Sequence, residues 1–357
     1  MAAPLDAVSW VTIRPLDWPW LQPIRRHHFA VGVVVYLVLW VGSAFAIGKP
    51  VAAVAVPALA IALLAPWRRA YKVASMIAGS LVLQLLAVGI GFGDQVALAN
   101  AAASRALSGQ NPYGVGFDAL GGVAYSYGPL GLVWWLPGIP LEVLAGVLTM
   151  VVLGWARAWV ALAVFGAWLS LLVERISGSN DASVGLLLLV ALVVLYYRPV
   201  AGAAVLAAAA AIKPYAAAWY VPAIGYLGWQ GAAVLAVVTL ALWSPVLLVW
   251  NPGSYLRSVD NVEQIRIASA ARGATGTSVA DLPLARLFAV PVGLLGLVVR
   301  QWRPMVLIGA ASFSLFLFFS PFATFGYLTT LIPILGLAIE WEPRPVSSRP
   351  SDSASEG

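Results

Sequence analysis

Long apolar runs, separated by short polar or charged stretches, dominate this chain of 357 residues. Hydrophobic residues make up 62% of the chain and charged residues only 10%, whereas a soluble protein carries about 25% charged residues. A soluble protein of this length cannot keep so much apolar side chain away from water. The pattern therefore predicts an all-α integral membrane protein, because helices satisfy their own backbone hydrogen bonds inside lipid.

The runs predict a polytopic helical bundle with ten to twelve spans, in one domain at 29–341. A straight span needs about 20 residues, and the runs at 184–197, 199–212 and 214–228 are shorter than that. Two of these three can be half-helices that meet inside the bundle, and the lower figure of ten spans allows for this. The apolar runs lie at 29–48, 50–66, 73–92, 129–152, 156–173, 184–197, 199–212, 214–228, 231–250, 284–299, 304–320 and 323–340.

The two ends of the chain differ from the bundle in composition. Residues 1–28 combine tryptophan with arginine and histidine, which favours an amphipathic cytoplasmic lead-in at the membrane surface. A partly disordered tail is the alternative for this segment. Residues 342–357 are rich in proline, serine and charge, which is typical of a disordered tail, here a cytoplasmic one.

The basic residues predict how the bundle is oriented. If every run crosses the membrane and the N-terminus is cytoplasmic, the clusters Arg25–Arg26 and Arg68–Arg69 both lie inside. Cytoplasmic segments beside spans carry an excess of lysine and arginine. We therefore expect both termini in the cytoplasm. The two long polar loops, 93–128 and 251–283, are then on the outer face, and each is expected to carry a short interfacial helix.

The first polar loop, 93–128, concentrates residues that are suited to chemistry. Asp94 directly follows an apolar run, and the Ala-rich stretch 95–108 predicts a short helix that stops at Gly109. Asp is a favoured N-cap residue, so capping this helix is the alternative role for Asp94. The two roles are compatible, because a carboxylate fixed at the end of a span is also a rigidly placed acid at the membrane surface.

The order of elements around this loop resembles a known family. Residues 90–140 contain an apolar span, an Asp, a small-residue helix, Gly-x-Asn-Pro-Tyr at 109–113 and Tyr-x-Tyr-Gly-Pro-Leu at 125–130. This order resembles the first outer loop of polytopic glycosyltransferases of the C superfamily. It is most similar to glycosyltransferase family 87, the polyprenol-phosphate-mannose-dependent type, and the resemblance extends to Lys213-Pro214.

The resemblance implies a function and a set of partners. The chain would transfer a hexose, mannose in the family that it most resembles, from a polyprenyl-phosphate sugar donor to a glycolipid or glycan acceptor. The reaction would take place at the outer face of the bacterial cytoplasmic membrane. Asp94, which stands at the family's Asp position, would be the general base that takes a proton from the acceptor hydroxyl. Membrane lipids would be further partners, and nucleic acid would not.

Several kinds of chemistry are excluded or not required. The chain contains no cysteine, which excludes disulfides, thiolate nucleophiles and thiolate metal sites. Its two histidines, His27 and His28, are adjacent and would point in different directions on a helix, so they make a poor metal chelate. Phosphate is a good leaving group without help from an acid. We therefore expect no metal and no other cofactor.

Outward-facing cations are the candidates for binding the donor phosphate. Lys213 lies where an Ala-rich run breaks at Pro214, and its alternative role is that of a lysine that extends from a span end to the interface. Arg257 and Arg266 lie in the second polar loop, where ordinary ion pairs along an interfacial helix are the alternative. We expect this loop to close over the donor.

Four further side chains in the two loops are candidates for binding substrate. Tyr113 and Tyr127 can stack on sugar rings; an aromatic belt at the lipid interface is the alternative, which we favour only for Tyr125. Asp118 lies in a Gly-flanked stretch, where a solvated turn is the favoured alternative. Asp260 lies near Arg257 in the second loop.

A polytopic transporter or lipid flippase is the main alternative function. Transporters place ionisable residues near the bilayer midplane and often contain internal repeats. Here the charged residues lie at the ends of the runs and in the two polar loops, which favours chemistry at the membrane surface. A passive subunit of a membrane complex is a third alternative, but it leaves the acidic first loop unexplained.

Overall fold

The computed structural model describes residues 27–90, 95–134, 140–271, 286–319 and 326–342. Within these ranges nearly all regular structure is helical, and the strands form one short hairpin. This confirms the all-α class expected from the sequence. The described α-helices are, in chain order, α1 His28–Ala46, α2 Val56–Leu64, α3 Arg69–Leu86, α4 Gln95–Leu107, α5 Pro129–Trp134, α6 Leu141–Ala156, α7 Trp159–Ala167, α8 Leu169–Ser177, α9 Asp181–Tyr197, α10 Pro199–Ile212, α11 Tyr220–Ser244, α12 Pro252–Ala271, α13 Ala289–Leu295, α14 Trp302–Phe318 and α15 Gly326–Glu340.

Two stretches of helix in the described ranges are long and apolar enough to cross a membrane. They are α1, with 19 residues, and the 36 residues Pro214–Val249, which contain α11. A third is obtained if α7 and α8, which meet at a bend of 61°, form one broken span. The other apolar helices have 10–17 residues, so the expected count of ten to twelve spans is not confirmed.

Three of the apolar runs are built differently from the expectation. Run 129–152 is not one helix, because Pro140 has a ψ of 69°, which is outside the helical range. Pro140, directly before α6, has no amide donor and disfavours a continuous helix. Runs 214–228 and 231–250, in contrast, belong to one stretch. Gly228 marks the expected division between them, because its φ of 69° interrupts the helical geometry of α11.

Helices α9 and α10 form the centre of the bundle. They pack against each other, α9 also contacts α6 and α15, and α10 contacts α11. Most of the buried residues of α10 are alanines. Small side chains let helix backbones approach closely. Helices in lipid associate through such close packing, because no hydrophobic force drives them together there.

The same two helices define the ends of the bundle. Only Arg198 separates α9 from α10, so the start of α9 and the end of α10 lie at the same end. The first polar loop reaches this end too, where Gly128 N donates a hydrogen bond to Ile212 O at 2.8 Å. Segments that the sequence places on the outer face therefore meet at one end of the bundle, which we call the Lys213 end.

The first polar loop has a small structure of its own. Helix α4 stops before Gly109, whose φ of 77° suits a glycine at a helix C-terminus, as expected. Strands β1 (Gly116–Phe117) and β2 (Val123–Ala124) then form an antiparallel hairpin. A second apolar cluster under the loop is formed by Leu98, Ala99, Ala102, Tyr113, Tyr125, Leu132 and Val246.

Some of the expected organisation lies outside the described residues. This applies to most of the lead-in (1–26), to the tail from 343 onward and to the later part of the second polar loop (272–283). The beginning of that loop is described, and it is the 20-residue helix α12.

Candidate functional site

An ion pair between two core helices lies at the centre of the candidate site. Lys213 Nζ lies 2.7 Å from Asp181 Oδ1, and the two side chains are 12% and 4% exposed. Asp181 is the first residue of α9 and Lys213 directly follows α10. This buried, paired position contradicts the alternative role of Lys213 as a lysine that extends to the interface.

Two hydroxyl groups extend the ion pair into a network. Tyr215 Oη donates to Asp181 Oδ1 at 2.7 Å and lies 3.0 Å from Thr330 Oγ1. Thr330 Oγ1 donates to the backbone carbonyl of Asp181 at 3.0 Å. The network joins three elements: α9, α15 and the 3-10 helix Pro214–Trp219 that follows α10. A charged group that is held by several elements is positioned rigidly, which a binding or catalytic site requires.

Glu142 of α6 caps the start of α9. Its Oε2 accepts hydrogen bonds from Ala182 N at 2.9 Å and from Ser183 N at 3.2 Å, and its Oε1 accepts one from Ser183 Oγ. The first amides of a helix have no partner inside the helix, and a carboxylate there is also favoured by the helix dipole. Glu142, which is 2% exposed, therefore fixes the helix end that carries Asp181.

Aromatic rings surround the ammonium group of Lys213. Its Nζ lies 5.4 Å, 5.1 Å and 5.5 Å from the ring centroids of Tyr127, Tyr215 and Tyr327, within the range of cation–π attraction. Tyr127 was expected to bind sugar and Lys213 to bind phosphate. The structure brings these two residues together, although they are far apart in the sequence.

Tyr113 is placed differently from the expectation. It is 1% exposed, and its ring packs against Tyr125, Trp250 and Tyr255. Its hydroxyl donates to the backbone carbonyl of Tyr127 at 3.1 Å. The ring is enclosed by protein and cannot stack on a sugar in this structure, so we correct its role: Tyr113 positions Tyr127.

Tyr125 belongs to the same cluster and is 0% exposed. It therefore lies inside the protein and not in the lipid-facing belt that we favoured for it. Burial raises the pKa of Tyr113, Tyr125 and Tyr255 above the ordinary value for tyrosine. These three phenols remain protonated at neutral pH and serve as hydrogen-bond donors and packing groups.

Hydrogen bonds attach the first polar loop to the beginning of the second. Gly114 N donates to Ser258 Oγ at 2.7 Å, and Ala124 N donates to Asn261 Oδ1 at 2.9 Å. Both acceptors belong to α12. The structure thus places the two loops in contact, and the closure of the second loop over a donor stays a prediction.

Three expected site residues are exposed. Asp118 begins the 3-10 turn Asp118–Leu120, as the alternative of a solvated turn predicts. Arg257 lies on α12, where its Nη2 donates to Ser254 Oγ at 2.8 Å, and Asp260 is exposed on the same helix. Among the described contacts, none joins these three residues to the Lys213–Asp181 pair.

Two expected site residues lie beyond what the structure describes. Asp94, the expected general base, is outside the described residues, and α4 begins directly after it at Gln95. Arg266 belongs to α12, but its side chain is not among the described ones. Their roles stay predictions.

Several polar atoms beside Asp181 are buried without a hydrogen-bond partner in the described structure. Asn180, the residue before Asp181, is 0% exposed, and both Nδ2 and Oδ1 lack a partner. Ser179 Oγ, two residues before Asp181, and Thr329 Oγ1, in the residue before Thr330 on α15, are also buried without a partner. Buried polar groups are nearly always hydrogen-bonded, so these atoms are donors and acceptors that a polar ligand or water can satisfy.

Two acids that organise this site, Asp181 and Glu142, are not among the residues that the sequence analysis predicted. Asn180-Asp181 comes just before an apolar run, as Asp94 comes directly after one, so Asp181 could have been found. Glu142 lies inside a run that reads as one span, and its partner Ala182 is 40 residues away along the chain. No local pattern marks such a residue.

The function has to be argued from the residues of this chain. Comparisons of the chain with protein-family models, with curated proteins and with solved structures find no match.

Proposed function

We propose that this chain is a polytopic membrane glycosyltransferase. It moves a hexose, mannose in the first instance, from a polyprenyl-phosphate donor to a lipid- or glycan-linked acceptor on the outer face of the bacterial cytoplasmic membrane. The observation that supports this most is the meeting of Lys213, Tyr127 and the two polar loops at one end of the bundle. The sequence pattern assigns Lys213 and both polar loops to the outer face.

The proposed reaction is a displacement at the anomeric carbon of the donor sugar. An acceptor hydroxyl oxygen attacks this carbon, and Asp94 takes the hydroxyl proton. The bond between the anomeric carbon and the phosphate oxygen breaks, and its electron pair leaves with the lipid phosphate. A general base of this kind contributes about 10²–10⁴-fold to the rate.

Lys213 can bind the donor phosphate while it remains paired with Asp181. A lysine ammonium carries three N–H donors, and Asp181 Oδ1 accepts one of them. The pair holds the ammonium group in one place, and the rings of Tyr127 and Tyr327 surround it. A cation that is already positioned stabilises charge that develops on the leaving phosphate without reorganising.

The buried polar atoms next to Asp181 suit a sugar. The amide of Asn180 offers both donors and an acceptor, and the hydroxyls of Ser179 and Thr329 can do either. Sugar hydroxyl groups form hydrogen bonds of both kinds. Asn180 is 0% exposed, so the segment before α9 has to open before a hexose can reach these atoms and satisfy them.

A transporter or lipid flippase is the second candidate, and one observation favours it. The ion pair of Lys213 with Asp181 is buried between two core helices, and paired ionisable residues inside a bundle also mark transport pathways. The pair lies at the helix ends and beside Tyr127 of the first polar loop, which favours the transferase.

One experiment tests the proposal against this alternative. Purified protein in nanodiscs is given polyprenyl-phosphate mannose with a labelled sugar and a set of glycolipid acceptors. A transferase that uses the lipid donor forms a labelled product, and the same labelled sugar supplied as a nucleotide sugar gives none. Movement of the labelled lipid across proteoliposomes without any covalent product would instead support the flippase.

A further inference from the structure

The opposite end of the bundle carries a cation-lined cleft that the proposed reaction does not use. Helix α6 connects the two ends, because Glu142 near its start contacts the candidate site and Arg157 follows its last residue. Sixteen residues at 1.5 Å each give a separation of about 24 Å. This is close to the thickness of the hydrocarbon core of a bilayer, about 30 Å.

The cleft has a volume of about 360 Å³, and its lining includes Arg69, Lys72, Arg157, Phe29, Trp67 and Trp159. A second cavity of about 450 Å³ shares Trp67 and adds Arg68 and Tyr71. Among the described residues, no acidic side chain lines either cavity. Glu340 lies near this end, but its carboxylate accepts hydrogen bonds from Val160 N and Ala161 N at the start of α7. The electrostatic environment therefore favours an anion.

The backbone at Arg157 shows that an arginine is unusual there. Its φ is 60°, in the left-handed region, and it is the residue that follows α6. Glycine is the usual choice for this conformation at a helix C-terminus. An arginine in its place adds a cation to the cleft at a position where the fold alone would favour glycine.

The surroundings of the cleft suit a ligand that has an apolar part. Trp67 and Tyr71 are 52% and 59% exposed, and Ile61 and Leu64 of α2, just before Trp67, are 68% and 64% exposed. Tryptophan and tyrosine concentrate at the headgroup level of membranes. A free phosphate would contact the cations but not the exposed apolar side chains of Ile61 and Leu64.

We propose that this cleft binds the phosphate headgroup of an anionic lipid in the leaflet opposite to the Lys213 end. Arg69, Lys72 and Arg157 contact the phosphate, and the acyl chains lie along Ile61 and Leu64. The site is independent of the proposed sugar transfer, since it lies at the other end of the bundle and its ligand does not react.

Binding of a fluorescent phosphatidylglycerol to the full-length protein in detergent tests this proposal. We expect the Kd to rise about fivefold for each cation removed, since a basic residue near anionic lipid contributes about that factor. The variants are Arg69→Gln and Arg157→Gly. The second suits the left-handed backbone and so keeps the fold while it removes the cation. The matched control is Arg198→Gln, an exposed arginine at the same end of the bundle but outside the cleft.

Competition identifies the source of the phosphate. Unlabelled phosphatidylglycerol should displace the probe, whereas inorganic phosphate and phosphatidylcholine with the same acyl chains should not. The proposal is overturned if inorganic phosphate competes as well as the lipid, if phosphatidylcholine does, or if Arg198→Gln weakens binding as much as Arg157→Gly.

Discussion

Lys213 Nζ lies 2.7 Å from Asp181 Oδ1, and this ion pair joins the end of α10 to the start of α9 at the Lys213 end of the bundle. The position of the pair connects the packing of α9 and α10 with the proposed binding of the donor phosphate. The helices bring the pair together, and the pair holds the cation beside Tyr127 of the first polar loop.

Breaking this pair from one side should destabilise the protein strongly. Lys213→Met and Asp181→Asn each leave one group buried without its partner, which costs roughly 3–5 kcal/mol. The double variant should lose less than the sum of the two, because it leaves no unpaired charge. Thermal unfolding of the four proteins in the same detergent measures this. Additive losses would show that the two side chains do not interact.

Gly128→Ala should detach the first polar loop from the core. A Cβ at this position would overlap the backbone carbonyl of Ala211, where no side chain can give way. We expect the loop to become sensitive to protease and sugar transfer to fall, as Tyr127 moves away from Lys213. Gly42→Ala in α1 is the control, because its Cβ would meet nothing within 4 Å and alanine favours a helix by up to about 1 kcal/mol. Equal protease sensitivity of the two variants would contradict the account.

Glu142→Ala should lower both stability and transfer. It removes the acceptor for Ala182 N and Ser183 N, and leaving buried donors unsatisfied costs roughly 1–3 kcal/mol. Glu142→Gln keeps an acceptor oxygen and should lose less. The unfolding midpoint and the transfer rate are measured together, with Arg198→Gln at the exposed residue between α9 and α10 as a neutral control. A midpoint for Glu142→Ala equal to that of the control would show that the cap is unimportant.

Orientation in the membrane can be measured by cysteine labelling, because the chain has no cysteine of its own. Single cysteines at the exposed positions Asp118 and Asp260 should react with a membrane-impermeant maleimide in intact cells. A cysteine at Arg198, at the other end of the bundle, should react only after the membrane is opened. The reverse pattern would place the two polar loops in the cytoplasm and remove the proposed outer-face reaction.

Local patterns in the sequence predicted a useful part of this structure. The all-α class followed from apolar content, and the short helix ending before Gly109 followed from alanine content and a glycine stop. The grouping of Tyr127 with Lys213 followed from assigning both to one side of a membrane. These inferences depend on composition and order, which do not change on folding.

Other features depend on contacts between distant parts of the chain. The partner of Lys213 is Asp181, 32 residues away, and Glu142 is 41 residues from Ser183, so no periodicity reveals either pair. Tyr113 looks the same in the sequence as Tyr127, but it is enclosed by Trp250 and Tyr255 from another segment. A loop residue becomes buried only when another segment packs against it. For Tyr113 this segment is the start of α12 and the residue Trp250 before it.

The rate of sugar transfer by Asp94→Asn tests the central claim most directly. Asparagine caps a helix as well as aspartate does, so this change keeps the fold but removes the base. We predict that transfer of labelled hexose from the polyprenyl-phosphate donor falls by a factor on the order of 10² or more, while the unfolding midpoint stays that of the unmodified protein. Near-normal transfer by a stable Asp94→Asn protein would contradict the account and exclude Asp94 from the reaction.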